Sequence, residues 1–191
     1  MATKISDLLT VTAPRTVAVV RGISDDQLDL PTPCSDYAVR DLLNHFYQAV
    51  VNLQTLADKR QPEWTEKPDY LTEGWQDRFE AETAKLAEAW SDPATLTGVS
   101  PAMGMPQEMV GAIGLLELTV HGWDLAVATG QPFRPAPEAL PPLYGFMEQR
   151  GPMAREMGLF AEPVEASSSE APEIDSLLAL TGRNPGWSAG V

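Results

Sequence analysis

The chain has 191 residues, 43% of them hydrophobic, enough for one well-buried core and short for two full domains. Thirteen Lys and Arg against 27 Asp and Glu give a formal net charge of -14 and a pI near 4.4, a surface that repels nucleic-acid backbones and anionic lipid head groups. No basic leader and no run of about 18 apolar residues occurs, so a cytoplasmic protein with neither nucleic-acid nor membrane partners is expected, and the single cysteine, Cys34, leaves any metal to nitrogen and oxygen ligands.

In chain order, residues 4 to 22 carry apolar groups at helical spacing that Pro14 interrupts, predicting a kinked helix or a true start near Pro14. The turn formers from Leu30 to Asp36 precede the clearest amphipathic helix, marked by Leu42, Leu43, Phe46, Val50, Leu53 and Ala57. Arg60 to Pro68 reads as a long connection, and Trp75, Phe79, Leu86 and Trp90 mark a third helix that Ser91-Asp92-Pro93 ends. Pro106 suits the first turn of a mostly apolar fourth helix ending before Gly130. A weaker fifth helix is expected over Pro142 to Met157, a flexible loop over Glu165 to Pro172, and a short last helix over Ile174 to Leu180. The sum is an all-α chain: a helix bundle in residues 1–134 with a C-terminal helical extension in 135–191, read as one domain.

Between Glu108 and Arg134 the only ionisable side chains are Glu117, His121 and Asp124, in a helix otherwise lined by residues such as Leu116, Leu118, Val120 and Leu125. At roughly 3.6 residues per turn, their spacings of four and three set all three on one narrow stripe of a buried helix. An unpaired buried carboxylate costs several kcal/mol, and a divalent cation is the simplest compensation. Glu and His at i and i+4 can chelate one ion, with a third ligand from a facing helix. The other histidine, His45, flanks the apolar arc of the second helix and can reach a neighbour, so His45, Glu117 and His121 are the candidate metal ligands. Two imidazoles and one carboxylate leave open positions for water or substrate. The plainer alternative is a buried Glu117–His121 hydrogen-bonded pair with His45 at the surface.

The segment Thr32-Pro33-Cys34-Ser35-Asp36-Tyr37-Ala38-Val39-Arg40-Asp41-Leu42-Leu43-Asn44-His45 resembles the signature of actinobacterial DinB-like metal-binding proteins related to mycothiol-dependent maleylpyruvate isomerase. Two further stretches resemble the same family, Leu116-Glu117-Leu118-Thr119-Val120-His121-Gly122-Trp123-Asp124-Leu125-Ala126 with Thr129-Gly130-Gln131-Pro132, and Leu177-Leu178-Ala179-Leu180-Thr181-Gly182-Arg183-Asn184-Pro185. The resemblance implies a four-helix bundle running up-down-down-up and a metal held by His45, Glu117 and His121. It also departs from the pattern at Ala38, where a Thr would cap the second helix, and at Pro14. The isomerase's larger C-terminal domain has no room here, so maleylpyruvate is not the expected substrate.

Asp124 is the candidate catalytic carboxylate, orienting a ligand from behind or acting as a substrate base, with Arg40 or a backbone amide as a competing partner. Asp41 reads as a helix-start residue, Cys34 as structural packing, and Trp123, Met103 and Met105 as core filling. The expected function is a metal-dependent enzyme that activates a low-molecular-weight thiol, mycothiol or a relative, for transfer to or isomerisation of a small electrophile. The alternatives are a metal-dependent hydrolase and a non-enzymatic metal-binding module. Zinc is the first expectation for the ion, with nickel and iron also suited to this ligand set, and the chain is read as monomer or homodimer.

Overall fold

The structure is a computed structural model that describes residues 4–165 and 173–189. Six α-helices occur among them: α1 (Ile5–Arg21), α2 (Val39–Ala57), α3 (Trp75–Ala89), α4 (Gln107–Ala128), α5 (Leu140–Glu156) and α6 (Glu173–Leu180). The described residues form no strand beyond two isolated bridges, one of which, Pro31 to Ala38, closes the turn ahead of α2. Most of the flexible loop expected up to Pro172 lies outside the described residues.

α1 runs unbroken through Pro14, so the expected start at Pro14 does not hold. Proline removes one ladder hydrogen bond, to the carbonyl four residues back, here that of Thr10. Both Thr10 and Pro14 face solvent, where water can satisfy that carbonyl. α2 starts without a side-chain acceptor at Ala38, but Asp41 supplies half of a capping box by accepting the Ala38 N–H at 3.1 Å.

The course of the four long helices follows from which residues meet. Ile5 lies against Gly111, Leu9 against Gly114 and Thr16 against Gly122, so α1 and α4 run parallel. His45 meets His121 while Gln107 Nε2 donates to the Leu56 carbonyl, so α2 runs antiparallel to α4. Tyr47 packs on Phe79 and Gln54 Nε2 bonds Glu82, setting α3 parallel to α2, and Arg21 pairs with Asp77 at the opposite end from Ile5 and Trp90, which both border Gly111. The bundle is up-down-down-up, with the long crossover lying between α2 and α3.

α4 is the one helix among the described residues long and apolar enough to cross a membrane, yet 78% of that stretch is buried between α1, α2 and α5. A helix covered on so many sides explains its near-continuous apolar sequence. α5 packs on α4, α6 packs on α5, and Leu143, Met147, Leu177 and Leu178 join the buried core of the bundle.

Candidate metal centre

The polar stripe of α4 faces α2. Glu117 Oε2 stands 3.1 Å from His121 Nε2 and 3.9 Å from His45 Nε2, and the two imidazole rings meet edge-on at 5.3 Å. His45 is half-buried, and its Nε2 at 3.9 Å from Glu117 places it beside the Glu117–His121 pair. His45 reaches this place because α2 turns Leu42, Phe46 and Ala49 into the core and leaves position 45 on the flank nearest α4.

Behind the stripe, His121 Nδ1 lies 2.9 Å from Asp124 Oδ2, and Asp124 is wholly buried. Its charge is answered by Arg183, whose Nε lies 2.8 Å from Oδ1 and whose Nη2 lies 2.8 Å from Oδ2. The guanidinium also donates to Cys34 Sγ at 3.2 Å, and that thiol lies 3.5 Å from Asp124 Oδ2. Cys34 is held there by Thr32, whose buried hydroxyl accepts the Cys34 N–H and donates to the Tyr37 carbonyl. Three parts of the chain thus converge: the turn before α2, the stripe of α4 and the turn after α6.

Burial lowers the pKa of His45 below the ordinary imidazole value, with Glu117 pulling the other way. Burial also opposes a charge on His121, but Glu117 and the bond to Asp124 outweigh it and hold its pKa well above that value. Both carboxylates resist the upward push of burial. Glu117 is kept low by the imidazoles, and Asp124 by its bonds to His121 and Arg183. A field of this kind favours a cation at the point where the two Nε2 atoms and Glu117 meet, whether a proton or a metal ion.

Three features fit a metal ion there. Ligand atoms around one divalent ion at about 2.0–2.2 Å stand roughly 3 to 4 Å from one another, as Glu117 Oε2 does from both histidines. Glu117 Oε2 is buried and accepts no aligned hydrogen bond, although His121 Nε2 is 3.1 Å away. With Nδ1 of His121 turned to Asp124, Nε2 is the nitrogen that faces Glu117, and a metal ion there would take the place of its proton, the arrangement common behind metal-bound histidines. Cys34, His121 and Asp124 also cluster closely enough to ligate, but there the Arg183 guanidinium already occupies the place of a cation.

Reading the sequence placed His45, Glu117, His121 and Asp124 in one neighbourhood and missed two residues of it. Arg40, weighed as a partner for Asp124, pairs with Asp29 at 2.9 Å, and Arg183 takes the role. Cys34 packs, as expected, but it packs on the centre itself. A buried Asp124 demands a positive partner, and Arg183 is the one basic residue in the third motif, which was the available signal. Trp123 is buried core, as expected, whereas Met103 lies exposed and does not fill the core.

His45 also lines a cleft of about 450 Å³ along α2, together with Asp36, Tyr37, Asp41, Asn44 and Gln48.

Comparison with known proteins matches residues 11–126 to the family described as Mycothiol maleylpyruvate isomerase N-terminal domain. Uncharacterized protein Rv0738 of Mycobacterium tuberculosis strain H37Rv is 29% identical over 170 residues, covering 87% of this chain and 90% of that protein. Uncharacterized protein MT0763 of Mycobacterium tuberculosis strain CDC 1551 matches with the same identity and coverage. Among solved structures, that of a mycothiol-dependent maleylpyruvate isomerase superposes with a TM-score of 0.51 at 14% identity, covering 75% of this chain and 68% of the other. At that identity the likeness is one of fold.

Proposed function

The chain belongs to the mycothiol maleylpyruvate isomerase N-terminal domain family, and on that premise we propose that it binds one divalent metal ion through His45, Glu117 and His121 and acts as a thiol-dependent enzyme. The reaction class is transfer of a low-molecular-weight thiol, mycothiol or a relative, to a small electrophile, or isomerisation through such an adduct. Residues 1–134 supply the metal-binding bundle, and the C-terminal extension completes the centre through Arg183. The observation that carries this reading is the buried, hydrogen-bond-free oxygen of Glu117 set between two imidazole Nε2 atoms.

A bound ion would supply a Lewis-acid centre that lowers the pKa of a thiol at an open coordination position, with zinc the first choice and nickel or iron suited to the same donors. The residues contribute orientation and charge. Asp124 holds the proton on His121 Nδ1 and so fixes the tautomer that leaves Nε2 free. Of its two expected roles the orienting one is favoured, since Asp124 has no exposed surface and its oxygens are taken up by Arg183 and His121. That makes Asp124 a positioning residue and leaves it no free oxygen with which to act as a substrate base. A cleft lined by His45 lies beside the centre, which favours an enzyme over a purely structural ion.

The test is metal content by mass spectrometry of untagged protein, with His45→Ala and His121→Ala alongside, each shown folded by circular dichroism. Near-stoichiometric metal lost in both variants is expected, together with a change in the cobalt-substituted spectrum on adding thiol. Folded protein that carries no metal and cannot be loaded overturns the proposal.

A further inference from the structure

His121 stands between two sets of donor atoms. Its Nε2 lies 3.1 Å from Glu117 Oε2, beside His45, while its Nδ1 lies 2.9 Å from Asp124 Oδ2, with the Cys34 thiol 3.5 Å from that same oxygen. The ligand atoms of Cys34, His121 and Asp124 lie within 4.8 Å of one another, as do those of His45, Glu117 and His121. Spacing therefore does not separate the two sets, and ligand chemistry favours the one with sulfur. Thiolate, imidazole and carboxylate hold zinc or cobalt at least as well as two imidazoles and a carboxylate, because the softer sulfur gives more charge to the ion.

What separates them is Arg183. Its side chain is only 10% exposed, and its guanidinium bonds Asp124 through Nε and Nη2 and Cys34 through Nη2 at 3.2 Å. The group keeps its charge at any pH a protein meets, so the sulfur-containing set already holds a cation. The other set holds none, and its Glu117 Oε2 is buried without a hydrogen bond.

We infer that Arg183 is a tethered cation that fills the Cys34, Asp124 and His121 set and so confines the metal ion to His45, Glu117 and His121. The inference rests on the metal-binding reading above and gives Arg183 a part in choosing where the ion sits. A divalent ion on Asp124 would meet the guanidinium as a like charge in a space that water does not screen. Confinement also keeps sulfur off the ion. A thiolate and the Asp124 carboxylate together would cancel its charge, whereas two neutral imidazoles and one carboxylate leave it net positive and better able to acidify an incoming thiol.

The test is the absorption spectrum of the cobalt-substituted full chain, unaltered and as Arg183→Gln and Arg183→Lys, each shown folded by circular dichroism. Cobalt bound by sulfur gives an intense near-ultraviolet charge-transfer band that nitrogen and oxygen ligands do not give. The unaltered protein and Arg183→Lys, which keeps the charge, are expected to lack the band. Arg183→Gln is expected to gain it, as Cys34 binds the ion and releases its thiol proton to solvent, and to lose it again in Arg183→Gln/Cys34→Ser. Cadmium should displace cobalt from Arg183→Gln at concentrations at least about tenfold lower than from the unaltered protein. If Arg183→Gln does not fold, Cys34→Ser decides, since its cobalt spectrum and affinity are expected to match those of the unaltered protein and a difference overturns the inference. A sulfur band in the unaltered protein overturns it without any variant. Folded, cobalt-loaded Arg183→Gln that lacks the band overturns the inference and leaves the metal-binding reading standing. Unaltered protein that takes up no cobalt overturns that reading, and the inference with it.

Discussion

Arg183 and Asp124, 59 positions apart in the chain, form a buried two-pronged ion pair, with Nε 2.8 Å from Oδ1 and Nη2 2.8 Å from Oδ2. Breaking such a pair from one side leaves an uncompensated buried charge and costs about 3–5 kcal/mol. Arg183→Ala is therefore expected to lose that much unfolding free energy in urea titrations. Metal affinity should also fall, by roughly 10- to 100-fold, because Asp124 orients His121. Arg183→Lys, which keeps charge and loses the fork, should fall between the two. Unchanged stability and metal affinity in Arg183→Ala would show that the pair does not support the centre.

The backbone just before Arg183 is equally constrained. Gly182 has φ +77°, in the left-handed region that glycine adopts without strain, and a Cβ built there would lie 2.7 Å from Ala161 Cβ and 2.9 Å from the Glu162 carbonyl oxygen. Neither neighbour is the end of a flexible chain, so the clash has no cheap escape. Gly182→Ala should destabilise by about 2 kcal/mol or more. It should also weaken metal binding in the direction of Arg183→Ala, since it displaces the turn that carries the guanidinium. A melting temperature within a degree of the parent would refute this.

The fold was legible because α4 is buried on nearly every side, so its three ionisable residues stood out against an apolar background. The partner histidine was legible because the chain has only two. What could not be read was any contact set by tertiary closure. Arg183 lies in a turn after a helix of eight residues, and nothing local says that this turn folds back over α4. Cys34 likewise looks like any turn cysteine until Thr32 fixes it against Arg183. Pro14 misled because sequence alone does not reveal that the carbonyl it deprives of a partner faces water.

Two glycines of α4 give a paired test of the α1–α4 contact. A Cβ on Gly111 would lie 2.8 Å from Ile5 Cγ2 and 3.1 Å from the Trp90 ring, which is pinned by its Nε1 bond to the Leu53 carbonyl. A Cβ on Gly114 would meet Leu53 at 3.5 Å and Leu9 at 3.9 Å, ordinary contacts. Ala gains about 0.5–1 kcal/mol over Gly in a helix, while overpacking costs about 1–3 kcal/mol. Gly111→Ala should therefore lose stability and Gly114→Ala gain it, as read by denaturant midpoints. The same sign at both sites would mean that α1 does not approach α4 this closely.

Tyr47 of α2 and Tyr70 of the crossover stack with ring centroids 4.2 Å apart and planes within 6°, joining the crossover to the helix that it faces across the cleft. Burial raises both phenol pKa values above the ordinary tyrosine value, helped by the Glu82 charge, with Arg78 opposing at Tyr47. A phenol whose pKa is raised on folding gives stability that is complete below its unfolded value, about 10, and is lost as pH rises through the folded value. These two phenols should ionise late in an absorbance titration at 295 nm, and stability should decline above about pH 10. Tyr70→Phe should remove one late phenol and shift that decline upward in pH. If the Tyr70→Phe variant removes no late phenol while the fold stays intact, the stack does not hold the crossover, and the cleft it walls would have to be held by the Asn44 bond to the Tyr70 amide and its neighbours.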